Sequence, residues 1–291
     1  MYREKREIKN ARILKNQEIE TDLRNKLSSE QIRALDLSKM KGASSWLTTI
    51  PNESEHFYLN KREFYDAVAI RYRWSLKRLP AMCPCGKPYD VDHALSCAKG
   101  GFIHQRHDRV RDFFAKTMSE VHKDVATEPA LMPLTGEHLH ASANKANDAR
   151  LDVSVRGFWQ DGQRAFFDIR VFNPFAPSHL TSTLQKNFER NEKEKKRLYN
   201  QRVIEMEHGS FSPLVFTPYG GASRETELVI KTLSAKVASK RNLDYSVVTN
   251  WVRAKISFIL LKSAILCIRG SRDWKSSPDL NFDDIELIEY M

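Results

Sequence analysis

Two short stretches of alternating residues decide the fold: LDVSV at residues 151–155 and FFDIRV at residues 166–171. Successive side chains of a β-strand point to opposite faces, so each stretch predicts a strand with one apolar face. The dipeptide Asp161-Gly162 lies between them and is typical of a tight turn. Together these residues predict an antiparallel hairpin.

The register of this hairpin determines which side chains share its second face. Pairing apolar residues with one another places Leu151 opposite Val171, Val153 opposite Ile169 and Val155 opposite Phe167. Asp152, Ser154, Asp168 and Arg170 then share the other face, with Asp152 opposite Arg170 and Asp168 one pair along. Diagonal neighbours on a sheet are about 7–8 Å apart, so the two aspartates could share one cation.

Two carboxylates at this separation predict a site for a hard cation. Mg²⁺ binds one or two carboxylates together with water and substrate phosphate. Such a cation can neutralise a scissile phosphate and activate the attacking water, which is the chemistry of a phosphodiester nuclease. The alternative is a solvent-facing strand on which Asp152 and Arg170 form an ion pair without catalytic function.

A long charged helix is predicted from about Thr183 to Met206. One stripe along it runs through Phe188, Glu192, Lys196, Tyr199 and Val203. Its apolar ends indicate contact with the sheet, and its polar middle then needs a partner. Lys196 could orient the water or stabilise the pentavalent phosphate, with Tyr199 one turn further on. A solvated amphipathic face is the alternative.

The predicted elements follow one another in the order helix, three strands, helix, strand. Their ranges are a helix at 104–122, strands at 125–131, 150–158 and 164–172, the helix at 183–206, a strand at 213–217, and closing helices at 224–240 and 245–268. This order is that of a layered α/β domain.

A second chemical signal lies before these elements. Cys83, Cys85, His93 and Cys97 form a CxC-x7-HxxxC pattern. Zn²⁺ prefers four nitrogen or sulfur ligands in a tetrahedron, which leaves no open position for catalysis. Pro84 and Gly86 suit a tight turn around the first two ligands. The pattern predicts a structural zinc knuckle, and ordinary buried cysteines are the alternative.

Composition sets the class of protein and of partner. The chain has 291 residues, 41% of them hydrophobic, and a net charge of +10, which favours polyanionic partners, DNA or RNA. The start of the chain lacks the apolar core of a signal peptide, and the apolar run from Ile256 to Ile268 is too short to cross a bilayer. We therefore expect an intracellular, nuclear protein without a membrane segment or an organic cofactor.

Three parts are expected along the chain. Residues 1–41 form a charged helical segment, residues 42–100 a helical region with the zinc knuckle, and residues 101–291 the α/β domain.

With these residues in place, the chain resembles the C-terminal region of non-LTR retrotransposon polyproteins. In that family a CCHC knuckle precedes an Arg-His-Asn-type motif and a restriction-like PD-(D/E)xK endonuclease, and here Arg106-His107-Asp108 stands between the knuckle and the hairpin. The resemblance covers residues 42–269. It implies a PD-(D/E)xK fold, Asp152 and Asp168 as Mg²⁺ ligands, and DNA cleavage. Candidate nucleic-acid contacts are Arg106, His107, Arg111, Lys193 and Arg197.

The chain also departs from the family. Leu151 replaces the proline before the first aspartate, and Arg170 stands where the motif has lysine. Arginine stays protonated, so Arg170 could hold a phosphate but could not act as a base. In the restriction-like branch the lysine moves to the following helix, where Lys196 and Tyr199 fit. No Tyr-x-Asp-Asp sequence of a reverse transcriptase occurs, which suggests a fragment, a truncated copy or a stand-alone descendant.

Three functions are therefore considered. The first is a Mg²⁺-dependent DNA endonuclease. The second is a zinc-containing nucleic-acid-binding module without catalysis, which would bind in a salt-sensitive manner. The third is a zinc-stabilised protein-interaction domain.

Overall fold

The computed structural model describes residues 2–272. The predicted α/β domain was expected to extend to residue 291, and its last part, residues 273–291, lies outside the described residues. Ten helices and four strands occur within it. The helices are α1 (Tyr2–Lys26), α2 (Ser29–Lys39), α3 (Ser45–Thr48), α4 (Lys61–Tyr72), α5 (Val91–Ala94), α6 (Phe102–Ser119), α7 (Pro177–Leu180), α8 (Leu184–Glu205), α9 (Arg224–Arg241) and α10 (Tyr245–Arg269). The strands are β1 (Val125–Thr127), β2 (Val153–Arg156), β3 (Arg164–Val171) and β4 (Ser210–Phe216).

The four strands form one mixed sheet in the order β1-β2-β3-β4. β1 and β2 pair antiparallel, β2 and β3 pair antiparallel, and β4 joins β3 parallel after the crossover through α7 and α8. The mixed α/β class and the order helix, three strands, helix, strand are confirmed. The first two strands are shorter than predicted.

The predicted hairpin register is wrong by two residues. Val153 pairs with Phe167, where Ile169 was expected, and Val155 pairs with Ala165. A shift of two preserves the alternation of faces, so the apolar set stays on one side. Val153, Val155, Phe167 and Ile169 are accordingly buried in the main core.

Helices cover both faces of the sheet. Apolar residues of α6, α9 and α10 close the main core over one face. On the other face α8 packs through Phe188 against Phe172 and Val215, and through Val203 against Phe166. This second face carries Asp168 between Phe166 and Arg170, so α8 lies directly over the predicted site.

A second core joins the cysteine-containing region to the α/β domain. The C-terminal half of α10 supplies Leu261 and Ile265, which share a cluster with Trp46, Ile70 and Leu95. α10 therefore contributes to both cores. Most described side chains of the N-terminal helix α1 are exposed. The half-buried Glu20 and Arg24 contact α2 through ion pairs to Lys39 and Asp36.

Candidate functional site

Asp152 occupies an irregular position immediately before β2. Its backbone N–H donates to the carbonyl oxygen of Phe167 at 3.1 Å. Its Oδ2 accepts hydrogen bonds from the backbone N–H of Ile169 at 2.5 Å and from His107 Nε2 at 3.1 Å. In a regular ladder a backbone carbonyl oxygen would accept the N–H of Ile169, but here the Asp152 carboxylate accepts it. This hydrogen bond holds the Asp152 side chain beside Ile169, the residue that follows Asp168.

Asp168 lies in the middle of β3 and is 5% exposed. Lys195 Nζ lies 2.6 Å from its Oδ2, in an ion pair whose lysine side chain is 16% exposed. Burial raises the pKa of Asp168 to about 6; the Lys195 ammonium opposes this shift and the Asp152 carboxylate adds to it. A buried carboxylate that already attracts one cation, the Lys195 ammonium, is of the type that could also hold a metal ion.

The position predicted for Lys196 is corrected by the structure. Lys196 forms an ion pair with Glu225 at the start of α9, whereas Lys195 faces the sheet. The inward stripe of α8 runs through Phe188, Asn191, Lys195, Tyr199 and Arg202, at spacings of three, four, four and three. The predicted stripe took two steps of four residues from Phe188 and so reached Lys196. The observed stripe takes one step of three and one of four and so reaches Lys195.

Tyr199 and Arg170 lie on the same side of the sheet as Asp168. The Tyr199 ring centroid is 5.7 Å from Lys195 Nζ and 5.8 Å from the Phe211 ring. Arg170 lies near His179, whose pKa is lowered by burial and then by the charges of Arg190, Arg170 and Arg33. Positive charge therefore gathers around His179, and Arg170 does not form the expected pair with Asp152.

The Arg106-His107-Asp108 stretch lies in the second turn of α6, and its members make different contacts. His107 meets Asp152, and although burial alone would lower its pKa, hydrogen bonds to Asp152 and Asp108 raise it. Arg106 is 4% exposed and donates to the carbonyl oxygen of Leu95. In this conformation the Arg106 guanidinium is buried between α6 and the cysteine-containing region and is not accessible to a nucleic acid.

The other candidate contacts differ in accessibility. Arg111 is held by Asp108, Asp112 and Glu128. Lys193 and Arg197 are exposed on the outer side of α8, where a polyanion could reach them.

The four predicted zinc ligands converge. The ligand atoms of Cys83, Cys85, His93 and Cys97 all lie within 4.8 Å of one another, with 3.9 Å between Cys83 Sγ and Cys97 Sγ and 3.3 Å between Cys85 Sγ and His93 Nε2. Four atoms at such distances could surround a metal such as zinc, since Zn–S and Zn–N bonds are about 2.3 and 2.0–2.1 Å.

Local backbone structure builds this cluster. Gly86 adopts φ +85° between Cys85 and the returning chain, and its N–H donates to the carbonyl oxygen of Cys83. Asp90 caps α5 by accepting from the N–H of His93 at 2.7 Å. α5 ends at Ala94, so Cys97 follows the helix that carries His93.

A half-buried polar junction, which the sequence did not reveal, connects the cysteine cluster to the sheet. Asp92, next to His93, binds Arg73 through both carboxylate oxygens at 3.1 and 2.7 Å. It also accepts from Tyr219 Oη and from Asn173, which follows β3. The residues of this junction are far apart in sequence, so no local pattern could have identified them.

Comparison with known proteins gives no further assignment: no family model matches the chain, and no curated protein is similar to it. Among residues 2–272, none of the helices combines the length and apolar character needed to cross a membrane.

Proposed function

We propose that the chain is a metal-dependent endonuclease that hydrolyses phosphodiester bonds in DNA. The observation that carries this proposal is the meeting of three elements at Asp168: β3 supplies the buried carboxylate, the segment before β2 supplies Asp152, and α8 supplies Lys195. Burying a carboxylate destabilises the folded protein, and the fold does not need this carboxylate for packing. Carboxylates with a perturbed pKa are typical of functional sites.

Each residue has a role that follows from its contacts. Asp152 and Asp168 would hold Mg²⁺, which supplies charge neutralisation at the phosphate and a more acidic water. Lys195 would place a positive charge where negative charge develops on the phosphate. His107 is a positioning residue, because its hydrogen bond orients Asp152. Arg170 and the exposed Lys193 and Arg197 would contact flanking phosphates.

The proposed architecture is a PD-(D/E)xK core with the motif lysine relocated to α8. The strand order and the aspartate positions support it, as does the Lys195–Tyr199 pair one helical turn apart. Zn²⁺ is proposed as the metal of the Cys3His cluster, where it would stabilise the fold and take no part in catalysis.

Plasmid nicking tests the proposal. We expect Mg²⁺-dependent conversion of supercoiled to open-circular DNA by the full chain, lost in Asp168→Ala and retained in Asp161→Ala, which changes an exposed turn aspartate. Equal nicking by both variants would exclude Asp168 as a metal ligand and with it the proposed site.

A second candidate is supported by the same contacts. Asp152 already accepts hydrogen bonds from His107 and Ile169, and Asp168 is paired with Lys195. The two carboxylates therefore have partners within the protein and do not require a metal ion. A module that binds nucleic acid without cleaving it would show salt-sensitive DNA binding and no nicking in Mg²⁺.

A further inference from the structure

The surface at the end of α4 exposes aromatic rings that neither the fold nor the proposed active site uses. Tyr72 and Trp74 stack with ring centroids 5.2 Å apart and an interplanar angle of 25°, yet they are 50% and 57% exposed. Tyr65 lies two helical turns before Tyr72, on the same side of α4, and is 47% exposed. Large aromatic side chains grouped in solvent indicate a binding surface.

The backbone holds this aromatic pair in place. Arg73 adopts the left-handed conformation with φ 57°, and Trp74 N–H donates to the carbonyl oxygen of Ala69 while Arg73 N–H donates to that of Ile70. These two bonds form a Schellman motif that ends α4 and turns Trp74 back toward Tyr72. The Arg73 side chain is itself fixed by Asp92. The rings are therefore preorganised and do not stand on a loose loop.

Exposed basic residues lie at the start of α4 and in the loop that follows Trp74. They are Lys61, Arg62, Lys77 and Arg78, and none of them forms an ion pair with a residue whose side chain the structure describes. The nearby Asp66 is neutralised by Arg269, which also donates to the backbone carbonyls of Lys77 and Arg78 and so holds that loop beside α4. The surface thus presents aromatic faces among cations that have no internal partner.

We propose that Tyr65, Tyr72 and Trp74, with these four basic residues, bind an unpaired nucleic-acid strand. Unpaired bases stack on aromatic side chains, and the cations contact the phosphates. A duplex keeps its bases stacked on one another and would meet only the cations. A protein partner would suit the aromatic residues and the two arginines but not Lys61 and Lys77, because lysine is depleted at protein–protein interfaces. This binding does not depend on catalysis at Asp168.

Fluorescence anisotropy with a short labelled strand of mixed sequence, as DNA and as RNA, tests the proposal in magnesium-free buffer. We expect the double variant Tyr72→Ala/Trp74→Ala to bind both strands about tenfold to a hundredfold more weakly, since each stacked base contributes on that scale. Binding of a blunt DNA duplex should change little. Trp74→Phe, which keeps a ring, should retain most of the affinity.

Tyr245→Ala is the matched control, because Tyr245 is 46% exposed at the opposite end of α10 from Arg269. Unchanged single-strand binding by the double variant would overturn the proposal, as would an equal loss of single-strand and duplex binding. A response to RNA alone would restrict the strand to RNA. If Asp168→Ala lost nicking but kept strand binding, the aromatic surface would still be supported as the strand-binding site. The two proposals can therefore be disproved independently.

Discussion

Lys195 reaches across from α8 to lie 2.6 Å from the buried carboxylate of Asp168, while its neighbour Lys196 turns away to Glu225. Two adjacent lysines on one helix thus have different partners and different surroundings. The side chain of Lys195 is 16% exposed and that of Lys196 is 41% exposed. This pair provides an internal comparison for testing which lysine supports catalysis.

Replacing Lys195 should abolish most nuclease activity, and replacing Lys196 should not. Removing one group that stabilises transition-state charge costs about a hundredfold to a thousandfold in rate, so we expect that loss for Lys195→Ala in a plasmid-nicking assay. Lys196→Ala is the control and should stay within a few-fold of the parent rate. The assignment would be reversed if Lys196→Ala were the inactive variant.

Much of this arrangement could be predicted from alternation and helical period. The apolar positions 153, 155, 167 and 169 determine the buried face of the hairpin, and an error of two residues in register left that face unchanged. The position of Asp152 could not be predicted, because it depends on an irregularity in the pairing of β2 and β3. There the Asp152 carboxylate, in place of a backbone carbonyl, accepts the N–H of Ile169.

Sequence reasoning missed the lysine that faces Asp168 for a different reason. Helical period alone allows spacings of three or four, and a stripe drawn through Lys196 fits the period as well as one drawn through Lys195. The buried Asn191 and Arg202 determine the phase, and polar residues give no sign in the sequence that they are buried. A stripe that included Asn191 would have selected Lys195.

Asp168→Asn should stabilise the metal-free protein while it removes activity. The pKa of Asp168 is about 6 in the folded chain against 3.8 ordinarily, so the folded state holds the proton more tightly and ionisation destabilises it as pH rises through this range. Above about pH 7 the neutral amide should raise the free energy of unfolding by roughly 2–3 kcal/mol. Below about pH 3 the two proteins should converge, because the aspartate is then protonated in both the folded and the unfolded state.

Urea denaturation at several pH values, in magnesium-free buffer, measures this difference. Asp161→Asn is the control, since an exposed aspartate should give no pH-dependent gain. A variant less stable than the parent above pH 7 would mean that the ion pair with Lys195 outweighs the cost of burial.

Arg202 should be among the strongest stabilising residues of α8. Its side chain is fully buried and donates to the backbone carbonyls of Asn144, Ala146 and Met132, which attaches the long connection before β2 to the helix. Arg202→Ala removes these donors and leaves a cavity, so we expect a loss of roughly 2–4 kcal/mol in the free energy of unfolding. Arg197→Ala, at an exposed position of the same helix, should change it by less than about 0.5 kcal/mol.

Metal content should follow the Cys3His cluster and not the remaining cysteine. Cys83, Cys85, His93 and Cys97 have their ligand atoms together, whereas Cys267 is buried in α10 among apolar side chains. Purified protein should contain zinc in a one-to-one ratio by elemental analysis, Cys97→Ser should lose most of it, and Cys267→Ser should retain it. Because Asp92 connects the cluster to Arg73, loss of zinc should also loosen the turn at Trp74 and weaken single-strand binding in the anisotropy assay. Full zinc content in Cys97→Ser would place the metal elsewhere, and unchanged strand binding by the zinc-free protein would show that the turn is held by α4 alone.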